Sequence, residues 1–226
     1  MMSREIAPLL GIGRGVIALI GGGGKTTLME TLARELGRRG SVILTTSTHI
    51  RRPEHMSVLD GSDKDALRRT LARGVPVCVG CPAEDGKLKE PLISFGELAE
   101  LADYVIVEAD GSRGLPLKAH GAHEPVIPAE TVRTVLVVGA TGFGGAIAAV
   151  CHRPERYAAL ACVAPQDPAT PETEAAVICT EGFGDAVYVN QVEDETRRSA
   201  ARELARRLAC PVVAGSLHKG EYECLF

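Results

Sequence analysis

The chain has 226 residues, 45% hydrophobic and 24% charged, with a formal net charge of −4. It is long enough to bury a sizeable core, and its composition is that of an ordinary globular protein. The acidic balance disfavours nucleic acid and anionic membranes as partners. The arginine pairs at 38–39, 68–69, 197–198 and 206–207 fall within or at the ends of expected helices and read as solvated faces. Residues 1–15 lack the apolar core of a secretory signal. Seven scattered cysteines then read as reduced thiols, and the expected location is the cytoplasm.

In chain order, residues 16–20 are an apolar run that reads as a buried strand. Gly21, Gly22, Gly23 and Gly24 follow, then Lys25, Thr26 and Thr27. Leu28, Leu32 and Leu36 continue at helical spacing. Strand, glycine turn and helix is the context of a phosphate-binding loop. The glycines let backbone N–H groups crowd a phosphate, and the helix start adds about half a positive charge. A triphosphate needs more, so Lys25 is expected to supply a fixed cation and Thr26 a hydroxyl ligand for Mg2+. The first glycine of the longer pattern would fall at Leu19, so this loop is the short variety and is similar to that of Mur ligases.

Residues 42–46 read as a second strand, ending in Thr45-Thr46-Ser47-Thr48-His49. Hydroxyls at a strand's carboxyl end suit a second metal ligand, here Thr48, or a sensor of the terminal phosphate. Residues 62–73 read as a helix with Ser62 and Asp65 as a capping box. Residues 75–80 read as a strand and 83–92 as a surface hairpin or loop. Residues 94–101 read as a helix opened by Ser94 with Glu97. The strand at 104–107 delivers Glu108, Asp110 and Arg113. Alternate strand positions face the same way, so both carboxylates are expected at the site. Glu108 would join Thr26 on the metal, and Asp110 would orient or activate the attacking group.

The proline-broken stretch 114–128 reads as a long loop beside these carboxylates. Arg113 and Lys118 are placed to neutralise charge on a transferred phosphoryl group. His120 and His123 read as solvated or hydrogen-bonding rather than metal ligands. Residues 134–151 carry no charge over eighteen positions, but Gly139, Gly142, Gly144 and Gly145 favour strand, turn and short helix over a membrane span. The spacing G-x-x-G-x-x-G there is a dinucleotide signature. Only about eighty residues follow, and no acidic strand end stands at the required distance, so a glycine-rich strand-to-helix turn is preferred. Pro154 sits in the first turn of a helix opening at 151–155, and Thr170-Pro171 opens another over 172–179. A strand at 186–189 ends in Asn190-Gln191-Val192-Glu193, close to the element that reads a guanine base. Asn190 is the candidate base contact, and ATP and GTP both remain open. A helix at 195–208 and a strand at 211–214 complete the chain. The single Cys78-x-x-Cys81 lacks the second pair of a zinc site and reads as core and loop thiols.

Taken together, Gly21 to Thr27, residues 45–49, the run 107–118 (V-E-A-D-G-S-R-G-L-P-L-K), His123 to Pro128, His152 to Glu155 and Asn190-Gln191 resemble the YqeC family. The resemblance spans nearly the whole chain. It implies a nucleotide-binding P-loop fold and an accessory role in maturing selenium-dependent molybdenum hydroxylases. The expected architecture is a three-layer α/β P-loop NTPase fold in one domain, 1–226, with a mostly parallel sheet and helices on both faces. The expected activity is Mg2+-dependent binding and hydrolysis of ATP or GTP. The partners would be the nucleotide and an apo molybdenum hydroxylase or a cofactor-maturation protein. An ATP-dependent ligase or kinase-like transferase, and a non-catalytic nucleotide-gated module, are the alternatives.

Overall fold

A computed structural model describes residues 4–53 and 55–225. Among these residues, nine strands make one sheet: β1 (Gly15–Gly21), β2 (Val42–Thr46), β3 (Val58–Leu59), β4 (Val77–Val79), β5 (Tyr104–Glu108), β6 (Thr131–Gly139), β7 (Ala186–Asn190), β8 (Val212–Ser216) and β9 (Glu221–Cys224). Their spatial order is β9-β8-β7-β6-β1-β5-β2-β4-β3. Every pairing is parallel except β8 with β9. Parallel neighbours need crossovers. Helices α1 (Lys25–Leu36), α2 (Lys64–Leu71), α3 (Phe95–Leu101), α4 (Ile147–Val150), α5 (Pro154–Ala161), α6 (Pro171–Glu181) and α7 (Glu195–Ala205) lie in the connections. The fold is the expected three-layer α/β arrangement, with β1 at the centre of its sheet.

Alternation along β1 divides its side chains between two cores. Ile17 and Leu19 pack with Leu28, Leu32 and Leu36 of α1 and with Ile6 and Leu10. Ala18 and Ile20 face the other way, into a cluster with Tyr157 of α5, Ile178 of α6 and Leu204 of α7. Leu67 and Leu71 of α2 and Leu98 of α3 cover the β2–β4–β5 portion of the sheet. The three α1 leucines are fully buried. Each contributes about 1.5–3 kcal/mol relative to exposure. That apolar stripe pins the amino end of α1 at the carboxyl end of β1.

Several local expectations shift. Asp63, not Ser62, caps α2 by accepting the Ala66 N–H, while Ser62 donates to Asp60. Ser94 and Glu97 do form their capping box. Val75 is exposed and the strand begins at Val77. Within 83–92, strand Lys87–Lys89 pairs between His49–Arg51 and Cys81–Pro82 in a small antiparallel sheet. Cys81 is therefore buried rather than a loop thiol, and burial pushes the Cys78 thiol up to about 12. After β6 come a 3-10 turn, Ala140–Gly142, and then the four-residue α4. The G-x-x-G-x-x-G spacing thus does not open the long helix that a dinucleotide turn requires. No helix among the described residues is long and apolar enough to cross a membrane.

Candidate phosphate-loop site

β1 ends at Gly21 and α1 begins at Lys25, leaving three glycines to make the turn. Gly23 has φ +70°, and a Cβ there would lie 2.3 Å from the Gly139 nitrogen. Backbone conformation and close approach both demand glycine at this point. Three amides of the turn are spent inside the protein. Gly21 N–H donates to Asp110 Oδ2 (2.8 Å), Gly22 N–H to the Val137 carbonyl (2.9 Å) and Gly23 N–H to the Leu115 carbonyl (3.1 Å). The amides of Gly24, Lys25, Thr26 and Thr27 meet no acceptor among the described residues, and no side chain caps α1. Thr26 and Thr27 are exposed. A helix leaves its first N–H groups without intrahelical partners, so the open donors sit at residues 24–27. Of the four glycines expected to crowd a phosphate, Gly21, Gly22 and Gly23 use their amides within the protein, and only Gly24 keeps an open one.

Thr26 Oγ1 donates to Glu108 Oε2 at 3.1 Å. Burial raises the Glu108 pKa, opposed by Lys25 and the Thr26 hydrogen bond. A buried carboxylate whose charge is under-compensated, facing an exposed hydroxyl, fits a divalent cation. Thr48 stands one step back: its hydroxyl is 3.4 Å from Thr46 Oγ1, which donates to the Glu108 carbonyl at 2.8 Å. No group of three or more His, Cys, Asp or Glu is arranged to hold a metal among the described residues. The Thr26–Glu108 pair is what the protein would offer a divalent cation at this place.

Beneath the loop lies a buried charge network centred on Asp110. Lys25 Nζ donates to the Gly21 carbonyl (2.5 Å) and lies 2.9 Å from Asp110 Oδ1, an ion pair without hydrogen-bond alignment. Asp110 Oδ2 contacts Lys118 Nζ (3.0 Å) and His120 Nε2 (2.8 Å) besides the Gly21 amide. Burial alone would push Asp110 up, but His120, Lys25, Lys118 and the Gly21 amide hold it below the usual carboxylate range. Asp110 is fully enclosed, so it braces the underside of the loop rather than facing an attacking group. Lys118 is equally committed, to the Gly111 carbonyl (2.6 Å) and Glu124 Oε2 (2.6 Å). His120 takes Glu181 on its other ring nitrogen at 2.6 Å. Burial opposes its protonation, yet Asp110 and Glu181 together hold its pKa above the ordinary 6.5. His123 is exposed.

Asn190 also serves the loop. Its amide donates to the Gly23 carbonyl at 2.8 Å and its Oδ1 accepts from Leu217 N–H at 3.2 Å. Both ends of the side chain are therefore occupied within the protein. Arg113 is exposed, at φ +52°. The structure thus brings Lys25, Thr26, Glu108, Asp110, Lys118 and Asn190 to one loop and leaves Arg113 outside it. His120, Glu124 and Glu181 complete the network, and sequence reasoning did not assign them there. Only the proximity of His120 to Lys118 in the chain hinted at it.

A phosphate-type loop at the central strand of a parallel sheet, with a threonine–carboxylate pair across it, defines the class as a P-loop α/β fold. The chain belongs to the YqeC family: the profile for YqeC protein matches residues 17–155. An Escherichia coli K12 protein described as "Uncharacterized protein YqeC" is 34% identical over 161 residues, which cover 66% of this chain and 62% of that relative. Among solved structures, the hydrogenase maturation factor HypB from Archaeoglobus fulgidus is 14% identical, with a TM-score of 0.42, over 96% of this chain and 88% of that one. The signal recognition particle 54 kDa protein from Aeropyrum pernix K1, solved with GDP, is 16% identical, with a TM-score of 0.43, over 98% of this chain and 46% of that one.

Proposed function

We propose that this chain is a single cytoplasmic domain that binds a nucleoside triphosphate, ATP or GTP, with Mg2+ and hydrolyses it. Its role would be as an accessory protein in maturing a selenium-dependent molybdenum hydroxylase or its cofactor. One observation carries the nucleotide reading: the uncapped first turn of α1 presents four unaccepted amides beside the Thr26–Glu108 pair. Amide donors left without acceptors at a helix start favour a polyanion. When bound, Mg2+ would neutralise charge on the phosphates. Thr26 and Glu108 are the side chains that would hold it. Lys25 would exchange Asp110 for a phosphate, keeping its ammonium paired throughout. Asp110, Asn190 and His120 would hold the loop in shape. The client follows from what the family resemblance implies.

Phosphate release from Mg-ATP and Mg-GTP tests the enzymatic part. Thr26→Ala and Glu108→Gln are each expected to lower turnover at least about tenfold. Unchanged release in both variants refutes the metal assignment. Nucleotide binding without wild-type turnover leaves the gated module in place of the hydrolase. For the client, removing this chain from a host is expected to abolish activity of its selenium-dependent hydroxylase. Retained activity rejects that role.

A further inference from the structure

Beside the charge network opens a cavity of about 470 Å³, lined by Gly111, Arg113, Glu124, His152 and Arg153. The loop site does not use it. Three separate segments build it: the turn after β5 brings Gly111 and Arg113, the loop over 114–128 brings Glu124, and the entry to α5 brings His152 and Arg153. Both arginines sit in the left-handed region, Arg113 at φ +52° and Arg153 at φ +64°. That conformation is costly for a side chain with a Cβ, and it clusters at ligand sites. Here it turns two guanidinium stems from different segments toward one space. The Arg113 guanidinium and the His152 ring have no hydrogen-bond partner among the described residues. No side chain caps α5, whose first turn follows Arg153 directly.

The positive charge is held in place from behind. Arg153 makes a forked contact with Glu124, at 2.5 and 3.2 Å. Glu124 also binds Lys118 at 2.6 Å, and Lys118 binds Asp110 at 3.0 Å. Burial would raise the Glu124 pKa, but Arg153 and Lys118 hold it down at about 2. Burial first, then Lys118, Arg153 and Arg113, push the His152 pKa below 6.5. The ring thus sits in a positive field.

We propose that this cavity binds a phosphate-bearing small molecule as a second ligand, separate from the anion held at residues 24–27. A tetrahedral oxyanion accepts hydrogen bonds from several directions at once. Arg113, His152 and Arg153 approach from two segments, which suits that shape. A planar carboxylate needs only a single guanidinium fork, and Glu124 already fills that role on Arg153. The cavity has room for more than the phosphate, so the rest of the ligand would extend over Gly111, which leaves open space where a Cβ would stand.

Amide and imidazole NMR of the full chain, titrated with inorganic phosphate, tests this without any nucleotide. Saturable shifts are expected at Gly111, Arg113, His152 and Arg153. Arg113→Ala should weaken the titration at least about tenfold, and Arg113→Lys should restore part of it. The same spectra report whether each variant is folded, and the exposure of Arg113 makes its loss tolerable. Acetate at matched ionic strength is expected to bind more weakly. Shifts confined to residues 24–27 overturn the proposal, because phosphate would then bind the loop alone. Titration unaffected by Arg113→Ala, equal binding of acetate, or no saturation at millimolar phosphate overturns it as well. Failure of nucleotide binding in the assays above leaves this result untouched.

Discussion

Asp110 is the residue whose loss should cost most. It is fully buried and compensates Lys25 and Lys118, themselves buried, while accepting from the Gly21 amide and His120. Asp110→Asn keeps the shape and one acceptor but removes the charge. Two buried ammonium groups are then under-compensated. Breaking one buried pair by removing a partner costs about 3–5 kcal/mol, and the hub serves two. We expect a loss of about 3–5 kcal/mol, the upper end applying if neither lysine finds water. Set against a total of roughly 5–15 kcal/mol, that is a large fraction. At about 2–4 °C per kcal/mol for this chain length, Tm should fall by roughly 6–20 °C. Urea unfolding at pH 7, followed by circular dichroism, gives the free energy directly. Asp110→Asn combined with Lys118→Met should recover part of the loss, since the second change removes a charge left unpaired by the first. The sign with pH is fixed by the depressed carboxyl. Its stabilisation is complete above the unfolded pKa near 3.8 and is lost only as acid approaches the lower folded value. A cost below about 1 kcal/mol at pH 7, with unchanged m-value, refutes the hub.

Glu174 is buried, its Oε2 has no hydrogen-bond partner among the described residues, and burial raises its carboxyl to about 7. A raised acid favours folding below the unfolded pKa of 4.5 and loses that advantage as pH rises through 7. Glu174→Gln should therefore stabilise the protein at pH 8, by up to about 3 kcal/mol, and do nothing of the kind at pH 4; equal effects at both pH values contradict this. His120 has its pKa raised by Asp110 and Glu181 against burial, so its charged contribution is full below pH 6.5 and fades above the folded value. The penalty for His120→Gln should be larger at pH 6 than at the alkaline end of the stability range, as thermal melts across pH will register. Asn190→Ala should cost about 1–3 kcal/mol, because it orphans the Gly23 carbonyl contact and the Leu217 amide. It should leave the ratio of ATP to GTP affinity unchanged, whereas a selective loss of one nucleotide in competition binding would return Asn190 to the base.

The elements most legible in the sequence were those whose pattern is local. Residues 16–20, the glycine turn and the Leu28–Leu32–Leu36 spacing specify strand, turn and helix by themselves, and β1 and α1 stand where they were expected. The Thr26–Glu108 meeting was also readable, because a carboxylate ending the strand beside β1 arrives opposite the loop. What was hidden depends on contacts far apart in the chain. His120 reaches Glu181 across 61 positions, and the Gly22 and Gly23 amides are taken by carbonyls of Val137 and Leu115, which leave no mark in a motif. The role of Gly139 was likewise invisible: it is where the loop backbone presses on β6. Asp63 displaced Ser62 at the α2 cap because Asp60 had already claimed the serine hydroxyl.

The central claim is that the amino end of α1 holds a polyphosphate with a divalent ion. Calorimetric titration of the wild-type chain with ATP and with GTP, each with and without Mg2+, addresses it most directly. The account predicts one saturable site for at least one nucleotide, tighter with Mg2+, and a stabilisation of about 2.7 kcal/mol at a hundredfold excess over Kd. No heat and no shift in Tm with either nucleotide at millimolar concentration, Mg2+ present, would contradict it.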